Sequence, residues 1–228
     1  MTAGLTVWNT WGTVQVDDTW ANLSLRYKVQ VNTTVTGVNG SRGYEGTLTL
    51  PCDTPLLFMK PTASACIKAC QNNGNGTWTW TFGTLDPATI TTYVFDKPVW
   101  LAQSFGLEIY DANGNKTFGD QHKPLRVAGV VQPGAASVQP INFYETPWIY
   151  AGLPAGSYAV CASNPGSGEQ LAYDNAEAQF SQALYAGIRD RQDGCQMAYV
   201  PVASIPGDAS PGSFVPPQFI IIADVMGL

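Results

Sequence analysis

One histidine, His122, stands in the whole chain, in a charged turn. That count removes most histidine general-base schemes and most histidine-ligated metal sites. No GxGxxG or Walker pattern cradles a phosphate, and no serine sits in a GxSxG elbow. The five cysteines are Cys52, Cys66, Cys70, Cys161 and Cys195. Cys66 and Cys70, four apart in SACIKAC, would share a face on a helical turn. That spacing alone does not bring two sulfurs into bonding geometry, and a zinc site needs further ligands. An odd count without an export signal reads as five free thiols. The 17 acidic residues leave room for the carboxylate pair of a glycoside hydrolase. However, Asp17, Asp18, Asp111, Asp120, Asp174 and Asp193 all fall in turns, where aspartate ordinarily caps the backbone. The run DANGN at 111–115 opens like a calcium loop but lacks the spacing to a closing glutamate. A hairpin turn accounts for it better. The chain is therefore read as a non-enzyme, with no catalytic residue, no cofactor and no metal.

The remaining chemistry is that of contact. Seven tryptophans, at positions 8, 11, 20, 78, 80, 100 and 148, are many for one small core. Trp80 and Trp8 are assigned to core packing. Trp11 lies in an expected turn, and Trp20 and Trp148 in or near turns. These three are candidate interface anchors, since an exposed indole buries a large area against a protein or a sugar with few rotatable bonds. Phe219, Ile220, Ile221 and Ile222 form the second candidate contact element. A strand covered on one face would alternate, and this run does not. Either both faces are covered within the chain, or a neighbour covers one.

Charged residues make up 12% of the 228 residues, against 45% hydrophobic, and the net charge is −6. The charged share is about half of the usual ~25%, so much of the surface must be Thr, Ser, Asn, Gln and Gly. With 11 basic residues and no cluster of them, the chain does not read as a nucleic-acid binder. Its acidity disfavours anionic membrane surfaces. The apolar end FIIIADVMGL contains Asp224 and is too short to span a bilayer, so no membrane insertion is expected. The opening MTAGLTVWNTW lacks the pattern of a signal peptide.

The elements that would carry these residues are strands. Over residues 23–38, Leu23, Leu25, Tyr27, Val29 and Val31 alternate with polar residues and are expected on one face. Trp78, Trp80 and Phe82 share one face of another strand, with Thr77, Thr79 and Thr81 opposite. LLFMK reads as a short buried strand ended by Pro61. Residues 171–191 fit a helix through Ala172, Ala176, Phe180, Ala183, Leu184 and Ile188. They also fit a strand, since Leu184, Ala186 and Ile188 alternate. GLTVWNTWGTVQVDD (4–18) and GLEIYDANGNKTFGD (106–120) align without a gap at an offset of 102 (106 − 4). Each copy reads as strand, Asn/Asp–Gly turn, strand. The expected fold is mostly β: two β-sandwich-like domains, 1–102 and 103–228, with an internal duplication and at most one substantial helix.

The second copy carries a resemblance. TTYVFDKPVW followed by GLEIYDANGNKTFGDQHKPLRVAG is similar to a hairpin segment of the tail-tip or minor tail structural proteins of tailed bacteriophages. Gly106, Leu107, Ile109, Tyr110, Asp111, Gly114, Phe118, Asp120, Leu125, Arg126 and Val127 take the motif positions. The first copy matches more weakly, with Ser24 where an arginine would follow Leu23. The resemblance carries no catalytic residue. It implies a structural subunit of a virion tail, assembled in the host cytoplasm in several copies, with other tail proteins as partners. A host-surface receptor is a further candidate partner. A carbohydrate-binding β module recognising a host-surface glycan is the alternative reading, and a capsid decoration protein a third.

Overall fold

The computed structural model of the chain describes residues 6–8, 14–16, 21–36, 43–100, 106–132, 148–162, 167–174, 178–206, 214–215 and 219–228. Their regular structure is β throughout, with no helix among the described residues. In chain order the first strands are β1 (Val7–Trp8), β2 (Val14–Val16), β3 (Ser24–Thr33), β4 (Val35–Thr36), β5 (Tyr44–Pro51) and β6 (Leu56–Pro61). Then come β7 (Ala65–Asn72), β8 (Thr77–Thr84), β9 (Ala88–Asp96), β10 (Glu108–Tyr110), β11 (Lys116–Gly119) and β12 (Val127–Val131). The last are β13 (Trp148–Ala151), β14 (Tyr158–Ala162), β15 (Ser167–Asp174), β16 (Ala178–Arg191), β17 (Gly194–Pro206), β18 (Phe214–Val215) and β19 (Ile220–Asp224).

Two large sheets hold most of these strands. A six-stranded sheet runs β12-β19-β14-β6-β9-β3, and a nine-stranded sheet includes the path β13-β17-β16-β7-β8-β5-β4, with β15 and β18 off it. One apolar cluster draws on both. Val31, Leu57, Met59, Ile90, Val94, Val160, Ile220 and Ile222 come from the first sheet, and Leu48, Ala65, Trp80, Phe82, Ile188, Cys195 and Met197 from the second. The six-stranded sheet has a second cluster of opposite strand parity around Phe58, Tyr93, Phe95, Ala159, Cys161 and Ala223. Residues of opposite parity on one strand point to opposite faces, so the central strands of this sheet are apolar on both. This is why residues 56–59 (LLFM) and 220–222 (III) are continuous apolar runs.

The boundary expected between 102 and 103 does not separate the sheets. β6 pairs with β14 through Met59 and Val160, and β7 with β16 through Ala65 and Ile188. Strands from either side of that boundary thus lie in the same sheets and the same core.

The ladders also decide one open reading and correct one expectation. Residues 171–191 fall in β15 and β16, apart from 175–177, which lie outside the described residues. β16 is laddered to β17 from Phe180 to Arg191 and to β15 on its other side, which satisfies its backbone across strands rather than along a helix. Gly187, a poor helix former, fits there. In β3, the register shifts between Leu25 and Tyr27. One extra residue inverts the alternation beyond it. Tyr27, Val29 and Val31 therefore join the cluster that draws on both sheets, whereas Leu23 and Leu25 pack on the second cluster.

At one edge the chain passes from sheet to sheet with Thr34 alone between β3 and β4. A buried hydroxyl holds that corner. Thr33 Oγ1 donates to Ala88 O at 3.1 Å, accepts from Ala88 N at 3.0 Å, and lies 2.7 Å from Thr84 Oγ1. Nearby, β5 approaches β3 so closely that a Cβ on Gly46 would stand 2.8 Å from Asn32 O.

Candidate contact site

The duplicated segments are the two elements outside the large sheets. β1 and β2 form a two-stranded antiparallel sheet, and so do β10 and β11. In the first, Val7 faces Val16 and Trp8 faces Val14. In the second, Ile109 faces Phe118 and Tyr110 faces Lys116. Adding 102 to the first set of numbers gives the second. The register shift falls between Val7 and Trp8 in one hairpin and between Ile109 and Tyr110 in the other. The offset alignment thus holds down to the pairing and its bulge.

The turn of the second hairpin follows from its sequence. Gly114 adopts φ +80°, a region that costs any residue with a Cβ. Asp111 Oδ1 accepts the backbone N–H groups of Asn113 and Asn115, each at 2.8 Å, and Oδ2 accepts Asn115 Nδ2 at 2.8 Å. These bonds, Asn115 foremost, hold the Asp111 carboxyl below the usual range. Both carboxylate oxygens cap the loop.

One face of this hairpin is a polar–aromatic cluster. The Lys116 ammonium pairs with Glu108 and lies 5.9 Å from the Tyr110 ring centroid and 5.7 Å from that of Trp100. The Tyr110 hydroxyl donates to the other oxygen of Glu108. Lys116, and after it Tyr110, draw the Glu108 carboxyl below its ordinary pKa, and Glu108 in turn raises that of Tyr110. Trp100 meets His122 edge to face at 4.7 Å, over Gly119. His122 Nε2 is 3.0 Å from Val99 O, while Nδ1 is buried without a hydrogen-bond partner among the described residues. The single histidine thus packs the hairpin against the chain that leads into it.

Trp8 and Tyr110, equivalent under the offset, are both solvent-exposed, at 61% and 48%. Trp8 was assigned to the core, and its exposure is a correction. β1 belongs to neither large sheet, so strand alternation alone does not bury it. Trp80 does lie in the core. Of the expected anchors, Trp11 and Trp20 lie outside the described residues, and Trp148 opens strand β13 opposite Met197. Ile220 and Ile222 are 0% exposed within the chain, and Ile221 packs on the second cluster. β19 lies between β12 and β14, so its own sheet and core cover those residues. Phe219, 39% exposed, is the member of this group with surface to offer.

The other reactive groups are structural in setting. Cys52, Cys66, Cys161 and Cys195 are buried and Cys70 is exposed, none of them in a disulfide. Burial, with the Asp96 carboxylate second, pushes the Cys52 thiol up to about 11. Burial pushes Cys66, Cys161 and Cys195 up to about 12. Asp96, buried at the end of β9, accepts the backbone N–H groups of Asp53, Thr54 and Lys97 at 2.7 to 2.9 Å. Burial alone would raise its pKa, but those three donors hold it below the usual carboxylate value. Its carboxylate ties the link between β5 and β6 to β9. Among the described residues no three His, Cys, Asp or Glu side chains gather as a metal site, and no helix is long and apolar enough to cross a membrane. Compared with family models, curated proteins and solved structures, the chain gives no significant match.

Proposed function

We propose that this chain is a structural subunit of a bacteriophage tail, at the tip or as a minor tail protein, present in several copies and held by contacts with other tail proteins. The observation that carries the reading is the repeated hairpin. The segment that resembles tail proteins folds as a discrete two-stranded unit, and a second copy with the same register precedes it by 102 residues. Elements outside the large sheets can be committed to neighbours without disturbing a core. The sparse charge supports the reading, because uncharged polar surface costs less to dehydrate than charged surface. In this reading the two large sheets pack as a β-sandwich around their shared cluster. The chain is assembled in the host cytoplasm and resides in the virion, without catalysis, nucleic-acid binding or a cofactor. The test is to purify particles from the source of this sequence and identify their proteins by mass spectrometry, then locate the chain by electron microscopy. Its recovery in tails at several copies supports the proposal. Its absence from particles, or its recovery on capsids alone, overturns it.

A further inference from the structure

We infer that the two hairpins are equivalent sugar-stacking elements, with Trp8 and Tyr110 as the stacking rings and a neutral polysaccharide as the ligand. This goes beyond the tail-subunit reading and does not depend on it. The starting observation is that the duplication preserves register, bulge and an exposed aromatic at the same position. A single exposed ring is ordinary at a protein surface; the inference rests on its recurrence at the equivalent position of both hairpins.

The chemistry around Tyr110 selects the occupant. The side chains recorded against it are Glu108, bonded to its hydroxyl, and Lys116, 5.9 Å from its ring centroid, both groups that exchange hydrogen bonds with hydroxyls. Glu108 and Lys116 neutralise each other, and Asp111 is spent on its own loop. Lys116 is thus not available to an acidic sugar, and the chain's net charge of −6 repels one. What fits is an uncharged polyhydroxyl whose C–H face lies on the ring and whose hydroxyls reach Glu108. The tyrosine hydroxyl is already bonded to Glu108, which fixes the ring for that contact. A single stacked ring binds weakly. Two on one chain, presented to a polymer that repeats the same sugar, gain by effective concentration.

Affinity gel electrophoresis of the full chain through soluble neutral polysaccharides (dextran, laminarin, galactomannan, glucomannan and xylan) tests this, with alginate as the anionic control. The expected result is retardation by at least one neutral polymer and none by alginate. Tyr110→Ala and Trp8→Ala should each weaken it about ten-fold, and the double variant should abolish it, while Tyr110→Phe, which keeps the stacking face but not the bond to Glu108, falls between the parent and Tyr110→Ala. Unchanged thermal melts certify that the variants are folded. No retardation by any of the five, or retardation that survives the double variant, overturns the inference. So does a sedimentation coefficient that falls in the alanine variants while sugar binding is absent, which would make a second copy of the chain the occupant. The particle analysis is separate, so a tail protein that binds no sugar and a sugar binder absent from tails are told apart.

Discussion

At the residue scale, the buried polar groups set the most specific demands. Thr33 uses its hydroxyl three ways where the chain changes sheets. Thr33→Val keeps the shape but strands Ala88 N–H and O, and it should cost about 1–3 kcal/mol in urea unfolding. Asp96 makes a pH-dependent contribution. Its pKa is lowered on folding, so its stabilisation is complete above the unfolded carboxylate range and is lost as the pH falls through the folded value. Asp96→Asn should flatten that acid limb of the stability curve, and a limb identical to the parent's would refute the assignment. The thiols give a third outcome. Cys70 is exposed, and the other four are buried with pKa values pushed to about 11 or 12. A thiol reagent should modify Cys70 first, more slowly than a free thiol near neutral pH because desolvation raises its pKa too, and the other four only on denaturation. The five thiols were legible as such, but the settings of Thr33 and Asp96 were not. A hydroxyl or carboxylate finds its backbone donors through contacts across 40 to 60 residues, which no local pattern encodes.

At the element scale, local patterns read well wherever one face is buried. The alternation of Trp78, Trp80 and Phe82 survives in β8, where Trp78 stacks near Trp80 at 6.4 Å. The Asn–Gly turn and the repeat were legible because turn chemistry and a two-residue period are both local. β3 was misread at one point, since a bulge is invisible to a period count. Residues 171–191 were ambiguous, and the ladders with β15 and β17 decided them. Trp8 was misplaced for a related reason: alternation shows which residues share a face, not whether a sheet will cover it. The hairpins' separation from the large sheets has a measurable consequence. Gly114→Ala forces a Cβ into φ +80° and should destabilise β10–β11 by about 1–2 kcal/mol. Amide exchange in 108–119 should accelerate while the exchange of β6, β9 and β14 stays unchanged. Acceleration throughout those core strands would show that the hairpin is integral to the fold.

At the scale of the whole molecule, the question is whether the duplication extends beyond its hairpins to two independent folding units. The sheet order argues against independence. Reading across the six-stranded sheet, β12, β19 and β14 come from beyond residue 102, and β6, β9 and β3 from before it. The join is the pair of Met59 and Val160, both close to fully buried in the cluster that spans the sheets. A fragment ending at 102 would expose the edge of β6 together with Leu57, Met59 and Phe58, and an uncovered apolar edge of that kind aggregates. A fragment starting at 103 would leave Val160, Ile220 and Ile222 without the inner faces of β6 and β9. The full chain should therefore unfold in one cooperative transition, seen alike by tryptophan fluorescence and far-ultraviolet circular dichroism. Ile222→Ala, at 0% exposure in the shared core, should lower the stability of that single transition by about 2–5 kcal/mol. The same substitution discriminates between the architectures. In two independent domains it would shift only the unfolding of the second, and the indole signals of Trp78 and Trp80 in the first would keep the parent midpoint. In the interleaved structure those signals must move with the rest. Two resolved transitions, or a first-half fragment that folds alone with a sharp midpoint, would restore the two-domain division at residue 102.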